Sequence, residues 1–426
     1  MVVARIAVIG SGVAGLTSAY YLSKDHHVDI FESSGRVGGH THTVDVTDPQ
    51  LGSIPVDTGF IVFNETNYPH FIRLLSQLGV SYQNSDMSFS FECPQRPFYW
   101  GSDFPNGVFA QRQNIIRPGF YRFLWGVNQF NNGCLTDFEA GISPLVTLGE
   151  YLDTKRVSRD VLMDYVLPMT SAIWSASYSD SLKFPVRSFI QFWKNHQLLE
   201  LGKGIQWKTI SGGSITYVNS ILNTISGRVH LNSPVNSVWA EGDSAVLSVN
   251  NESVRYDAVV VATHADTAYS MLAFPRPDET ALLGQWRYSK NRTFLHTDTR
   301  FMPRSRPAWC GWNVRKPAQS NFDHPASVTY WMNRLQSIAS TTPYLVTLNP
   351  ESPVRDEAVI KEMVYTHPQM TKAAMDTQPM LHTLKTRSRI VFAGSYFGFG
   401  FHEDAVASAV RAVAAITATL TETKSE

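Results

Sequence analysis

The residues of this chain whose types and spacing can do chemistry begin at Gly10, Gly12 and Gly15 and continue through Glu32 and Ser33 to Arg36, Gly38 and Gly39. Each of the first three glycines has its own use in holding a pyrophosphate. Gly10 permits a tight turn, Gly12 lets the backbone approach the anion, and Gly15 lets a helix pack close to a strand. The N–H groups of the first helical turn, at Val13 and Ala14, then face the phosphates. A carboxylate about 20 residues further on, here Glu32, is placed to accept hydrogen bonds from ribose hydroxyls. The chemistry on offer is the binding of a dinucleotide.

Such a site needs a strand, a turn and a helix in that order. Ala4 to Ile9 (ARIAVI) is a short apolar run rich in β-branched residues, as in a buried parallel strand. Val13 to Leu22 carries Ala14, Leu16, Ala19 and Leu22 without proline and reads as the helix. Val28 to Phe31 reads as a second strand that delivers Glu32 at its end.

The stretch Arg36-Val37-Gly38-Gly39 goes beyond a nicotinamide site, which needs no second glycine pair with a basic residue. Here the chain resembles the flavin-containing amine oxidase and phytoene desaturase superfamily. The resemblance implies FAD rather than NAD, with Arg36, Gly38 and Gly39 along the pyrophosphate and ribityl chain. It extends to Asp57-Thr58-Gly59, where Thr58 and Gly59 are implied in the floor beneath the ribityl chain, and to Val235, implied to pair with adenine. It extends also to Gly394-Ser395-Tyr396-Phe397-Gly398-Phe399-Gly400-Phe401-His402-Glu403-Asp404, which is similar to the family's C-terminal flavin motif. A helix starting at Glu403 and Asp404 would aim its positive end at the flavin pyrimidine. Phe401 falls where amine oxidases place an aromatic against the flavin.

Words along nearly the whole chain, among them GGHTHTV at 38–44, VDTGFIVFN at 56–64, SKNRTFLHTD at 289–298 and GFGFHEDA at 398–405, resemble a bacterial branch described as predicted NAD/FAD-binding oxidoreductases. Members of that branch often accompany cyclopropane-fatty-acid-type methyltransferases, which implies a fatty-acyl or lipid-like substrate and a lipid methyltransferase as partner. Two positions depart from the family. Ser395 stands where many amine oxidases carry an acid, and Ala405 where this branch more often has glycine. No cysteine lies in the C-terminal segment, so the flavin is expected to be noncovalent. A histidyl bond through His40 or His42 is the alternative.

The expected architecture is α/β: a Rossmann-like FAD-binding domain built from the discontinuous segments 1–95, 205–285 and 385–426, with a mixed α+β substrate-binding domain from 96–204 and 286–384. At 426 residues the chain is long enough to bury two cores without disulfide support. Lysine plus arginine balance aspartate plus glutamate at 36 each, which argues against a nucleic-acid partner. The 3 cysteines, Cys93, Cys134 and Cys310, are far apart and suit reduced thiols in a cytoplasmic setting. No segment reads as a bilayer span from its sequence. The aromatic stretches Phe120–Phe130 and Phe184–Leu199 read as helices whose rings serve as core, as the wall of an apolar tunnel, or as a patch peripheral to a membrane.

Because a flavin carries the redox chemistry itself, no catalytic triad is required. The 13 histidines show no metal-ligand spacing, and no metal is assigned. The substrate-side candidates are His402, Phe401, Tyr396, Phe399, His264, His196 and Trp174. His402 is expected to donate to the flavin or to shuttle a proton with a pKa near neutrality. Lys290 is read either as a lysine holding a water near the flavin or as a solvated surface residue. The leading function is hydride transfer between FAD and an aliphatic, lipid-like substrate, with O2 as a candidate electron acceptor. The alternatives are an amine or polyamine oxidase, a flavin-dependent isomerase of fatty-acid double bonds, and a non-catalytic flavoprotein partner of a lipid methyltransferase.

Overall fold

Ile6, Ala7 and Val8 are completely buried, so the strand Arg5–Ile9 (β1) is covered on both faces, as strands of parallel sheets are. The computed structural model describes residues 3–200, 204–317, 322–384 and 389–422. β1 is the centre of a five-stranded sheet in the order Val229–His230, His27–Phe31 (β2), β1, Ala258–Val261, Ile390–Phe392. All its pairings are parallel. Chain segments from both ends and the middle of the sequence therefore share one set of hydrogen bonds. The helix Val13–Leu22 (α1) covers one face together with the long helix His402–Glu422. Leu16, Ala19, Val406, Ala412 and Ile416 are buried in the same apolar cluster.

The second sheet has seven strands in the order 359–368, 288–296, 345–348, 327–331, 312–315, 89–93, 98–101. Its pairings are antiparallel apart from 312–315 with 89–93. The boundary expected at residue 95 moves upstream, because Phe89–Cys93 hydrogen-bonds into this sheet rather than the nucleotide sheet. The boundary expected at 385 lies outside the described residues.

Helices Pro118–Glu139 and Val186–Asn195 carry the two aromatic stretches, and the structure divides their rings by use. Phe120, Phe123, Val127, Phe130, Phe189 and Trp193 are core, whereas Tyr121 and Trp125 stand exposed. His402–Thr421 is long and apolar enough to cross a membrane, which the sequence reading did not anticipate. It packs one face on α1, with Val406, Ala409 and Ile416 buried, and 33% of the span is buried in this fold.

Candidate active site

Gly10 has φ +95° and its N–H donates to the Phe31 carbonyl at 2.8 Å, which turns the chain sharply from β1 into α1. A Cβ there would lie 2.6 Å from the Ala262 carbonyl oxygen, and one on Gly15 would overlap the Gly10 carbonyl. A Cβ on Gly12 would meet nothing within 4 Å. The first two glycines are thus required by packing, while the third borders open space. Gly39, at φ +57°, closes over it, since a Cβ there would sit 3.0 Å from the Gly12 Cα.

Glu32 ends β2 and accepts hydrogen bonds from Ser11 N (3.0 Å), Ser11 Oγ (2.6 Å) and Ser34 N (2.8 Å). Burial works to raise its pKa, but these bonds prevail and hold the carboxyl below its usual range. Arg36 donates to the carbonyls of Gly39 (2.6 Å), Thr41 and Val37 (both 3.3 Å). Its side chain therefore shapes the glycine loop, and neither Arg36 nor Gly38 is on the wall of the cavity that follows.

A cavity of about 630 Å³ runs from Gly10–Ala14, Glu32, Ser33 and Val235 past Gly39, Thr58 and Gly59 to Gly394, Ser395, Tyr396, Phe401 and His402. Residues assigned to a cofactor from both ends of the sequence are thus gathered on one wall. Gly15 lies behind it, and Glu403 and Asp404 are also off the wall. Glu403 accepts from His70 N and Phe71 N, both at 3.0 Å, and so caps the helix Pro69–Leu78. Asp404 accepts from Phe399 N and Phe401 N, both at 2.9 Å, and burial raises its pKa to about 6. The two carboxylates hold the loop and a neighbouring helix, and what the helix start presents to the cavity is His402.

His402 is sandwiched rather than solvated. Its ring stacks on Phe60 at 3.6 Å between centroids, and its Nε2 lies 3.2 Å from Thr41 Oγ1 and 3.4 Å from Tyr217 OH. Burial, with the His40 imidazole as a like charge nearby, holds it well below the usual histidine range. This corrects the expectation of a proton shuttle near neutrality: at pH 7 the ring is neutral. Phe401 stacks on Phe192 at 4.8 Å, and the buried Tyr396 hydroxyl has no hydrogen-bond partner.

Four further histidines line the same cavity, and His40, His264 and His367 of them lie together. His40 lies with its ring centroid 6.0 Å from that of His264 and 5.3 Å from that of His367. Burial pushes His40 and His264 down to about 4 and His367 to about 3. His40 Nε2 is buried without a partner. His42 is off the wall, its Nδ1 3.0 Å from Tyr365 OH. Tyr365 and His367 were missed by sequence reasoning. They sit two apart on the strand Val359–Pro368, and side chains at that spacing share a face. That alternation was the available signal. Lys290, on the partner strand, is exposed and absent from the wall.

Beyond Phe401 the wall is Met87, Phe89, Met169, Ile173, Trp174, Phe192, Trp312, Tyr330 and Leu348, with His196 stacked on Phe192 at 4.0 Å. Among the described residues Glu32 is the sole carboxylate lining the cavity, and no lysine or arginine lines it. Nor do any three His, Cys, Asp or Glu residues among them stand where they could hold a metal ion. Open space at Gly12, a ribose-height carboxylate and unpartnered polar atoms at His40 and Tyr396 fit an extended dinucleotide.

Known proteins are similar to this chain. An 81-residue stretch is 37% identical to prenylcysteine oxidase 1 of Bos taurus, covering 18% of this chain and 15% of that one. The chain spans only 14–15% of the length of the curated relatives it matches. Cyclohexylamine oxidase from Brevibacterium oxydans superposes with a TM-score of 0.68 at 15% identity, over 98% of this chain and 99% of that one. The CLA-producing fatty acid isomerase from P. acnes does so at 0.65 and 13%, over 96% and 98%. At such identities the likeness is one of fold. Residues 13–349 match the family described as flavin containing amine oxidoreductase. That match takes in strands of both sheets and most of the cavity wall, and the chain belongs to this family of flavin-dependent oxidoreductases.

Proposed function

We propose that the chain binds FAD noncovalently and transfers hydride between it and an aliphatic, fatty-acyl or lipid-like substrate. One observation supports this reading above others: the wall beyond Phe401 is apolar and aromatic, and the one carboxylate that lines the cavity among the described residues, Glu32, is at the nucleotide end. A cationic amine would leave water and find no counter-charge there, a costly transfer. An alkyl chain loses nothing on entry and gains about 25 cal/mol for each Å² it removes from water.

In this reading the Gly10–Ala14 backbone holds the pyrophosphate, Glu32 the ribose, Val235 the adenine, and Thr58, Gly59, Gly394 and Ser395 flank the ribityl chain. FAD, when bound, supplies the hydride chemistry. The protein's part is to orient and to exclude water. Phe401 and Phe192 close the apolar wall, and His402, held neutral by burial, offers a ring fixed by Phe60 and Thr41. A neutral imidazole has one donor and one acceptor nitrogen. It can hydrogen-bond a developing charge without carrying one of its own.

The test is anaerobic mixing of the purified yellow protein with a panel of acyl lipids, fatty acids and polyamines, followed at the flavin absorbance. Bleaching by lipids and not by polyamines is expected. Bleaching by polyamines alone would replace this reading with amine oxidation. A shifted double bond in the recovered lipid with the yellow colour unchanged would replace it with isomerisation. Acid precipitation should leave the flavin in the supernatant; flavin held in the pellet would replace this with a histidyl bond, for which His40, with an unpartnered Nε2 and a place on the wall, is better situated than His42, which is off the wall and faces Tyr365.

A further inference from the structure

The N-terminal end of the helix Pro118–Glu139 and the turn before it expose apolar side chains that a water-facing surface does not need. Ile116 is 83% exposed, Phe104 79% and Trp125 65%, with Ile115 and Tyr121 about half exposed. They are contiguous: Ile115, Ile116, Tyr121 and Trp125 border one shallow depression, and Phe104 joins them through Phe109, which lies within 6.5 Å of both Phe104 and Tyr121 by ring centroid. Scattered apolar residues are ordinary on a surface, but a clustered patch marks an interface.

The charges around the patch say what it meets. Residues 104–136 contain no aspartate or glutamate but carry Arg112, Arg117 and Arg122, all exposed, and Asp103, just before them, is paired with Arg334 at 2.7 Å. In the neighbouring turn Arg159 and Asp160 offset each other. Tryptophan and tyrosine with aliphatic tips, fringed by arginines and free of acids, match the layered chemistry of a bilayer surface, where acyl chains lie beneath anionic headgroups. A second copy of this face would set arginines against arginines.

We propose that this patch docks the protein on the surface of a bilayer containing anionic lipid, with Ile116 and Trp125 inserted among the acyl chains and the arginines at the headgroups. The rings behind it form a continuous series, Phe109–Phe120–Phe123–Trp100–Phe89, with centroid spacings of 5.8 to 6.1 Å, ending at Phe89 on the cavity wall. That packed column ties the docking face rigidly to the site. The proposal stands on surface geometry and does not depend on the identity of the substrate.

The flavin-loaded protein is sedimented with vesicles of phosphatidylcholine alone and of phosphatidylcholine mixed with phosphatidylglycerol. Binding to the mixed vesicles, reduced by added salt, is expected. The double variant Ile116→Glu, Trp125→Glu should abolish it, and Arg117→Gln should weaken it about fivefold. Both act on exposed side chains, so their melting midpoints and flavin content should match the parent. Failure of the parent protein to bind the anionic vesicles would overturn the proposal. So would binding that the double variant leaves intact, or self-association without vesicles that the double variant removes, which would make this face a dimer contact.

Discussion

Gly12 and Gly15 stand three residues apart in one motif, yet different forces constrain them. Gly12 has φ −65°, a conformation open to any residue, and borders empty space, so its side chain is excluded by what the cavity is to hold. Gly15 is excluded by the protein itself, through the Gly10 carbonyl. Gly12→Glu should therefore fold with its melting midpoint within a few degrees of the parent while losing the flavin, read as a colourless preparation. Flavin retained at the parent's ratio would place the pyrophosphate elsewhere. Gly15→Ala should instead cost about 1–3 kcal/mol of stability by overpacking, measured by urea unfolding. His402 shows where single residues stop being legible. Its position at the helix start could be read from GFGFHEDA, but its charge state depends on burial among remote segments and on His40 nearby.

At the scale of elements, the loop between Gly394 and His402 is shaped by a carboxylate that follows it. Asp404 receives two backbone N–H groups from Phe399 and Phe401, and Gly398 must lack a Cβ because Asp404 occupies that volume. Asp404→Ala would strand both donors at a cost on the order of 2 kcal/mol or more. It should also loosen flavin binding, because the loop carries Phe401 and Ser395 to the wall. Asp404→Asn should recover most of the loss at pH 7: burial already raises the pKa to about 6, so a neutral acceptor suits the site. Urea midpoints and flavin dissociation for the two variants decide the matter, and an unchanged midpoint for the alanine variant would remove the loop-holding role. Such a role was not visible beforehand, because the acidic helix start was read as facing the flavin, whereas Glu403 and Asp404 are taken up by Pro69–Leu78 and the glycine loop.

For the whole molecule, assembly of two sheets around one cavity leaves many histidines buried and neutral. His40, His42, His196, His264 and His296 are pushed down to about 4 and His367 to about 3, each chiefly by burial. A histidine whose folded pKa lies below its unfolded value of about 6.5 contributes stability that is present above 6.5 and lost as pH falls toward 4. Asp57 and Asp404, raised to about 6 by burial, act oppositely, their contribution being lost as pH rises from about 4 through 6. The histidines outnumber them, so the melting midpoint should fall steadily from pH 7 to pH 5. His367→Gln should flatten that fall. A midpoint unchanged over this range would mean that these rings are not buried and neutral in solution.

The sequence by itself determined the nucleotide half of this protein: β1, α1 and β2 with their glycines and Glu32, the C-terminal strand and helix, and the flavin-dependent family that those words share. These features are legible because they are local. A tight turn, a helix start and a strand-end carboxylate are each specified by residues a few positions apart. Only the tertiary structure decided what the rest of the wall is made of. Tyr365 and His367 from one strand, His264 from the start of the helix Ala265–Ser270 and His40 from the glycine loop meet because the antiparallel pairing of 288–296 with 359–368 carries that edge of the second sheet against the first. Burial then sets their charge, and it splits one aromatic run into core and exposed surface within the same helix. Contacts between distant segments, and the desolvation they impose, are properties of the assembled chain, and no short stretch of it encodes them.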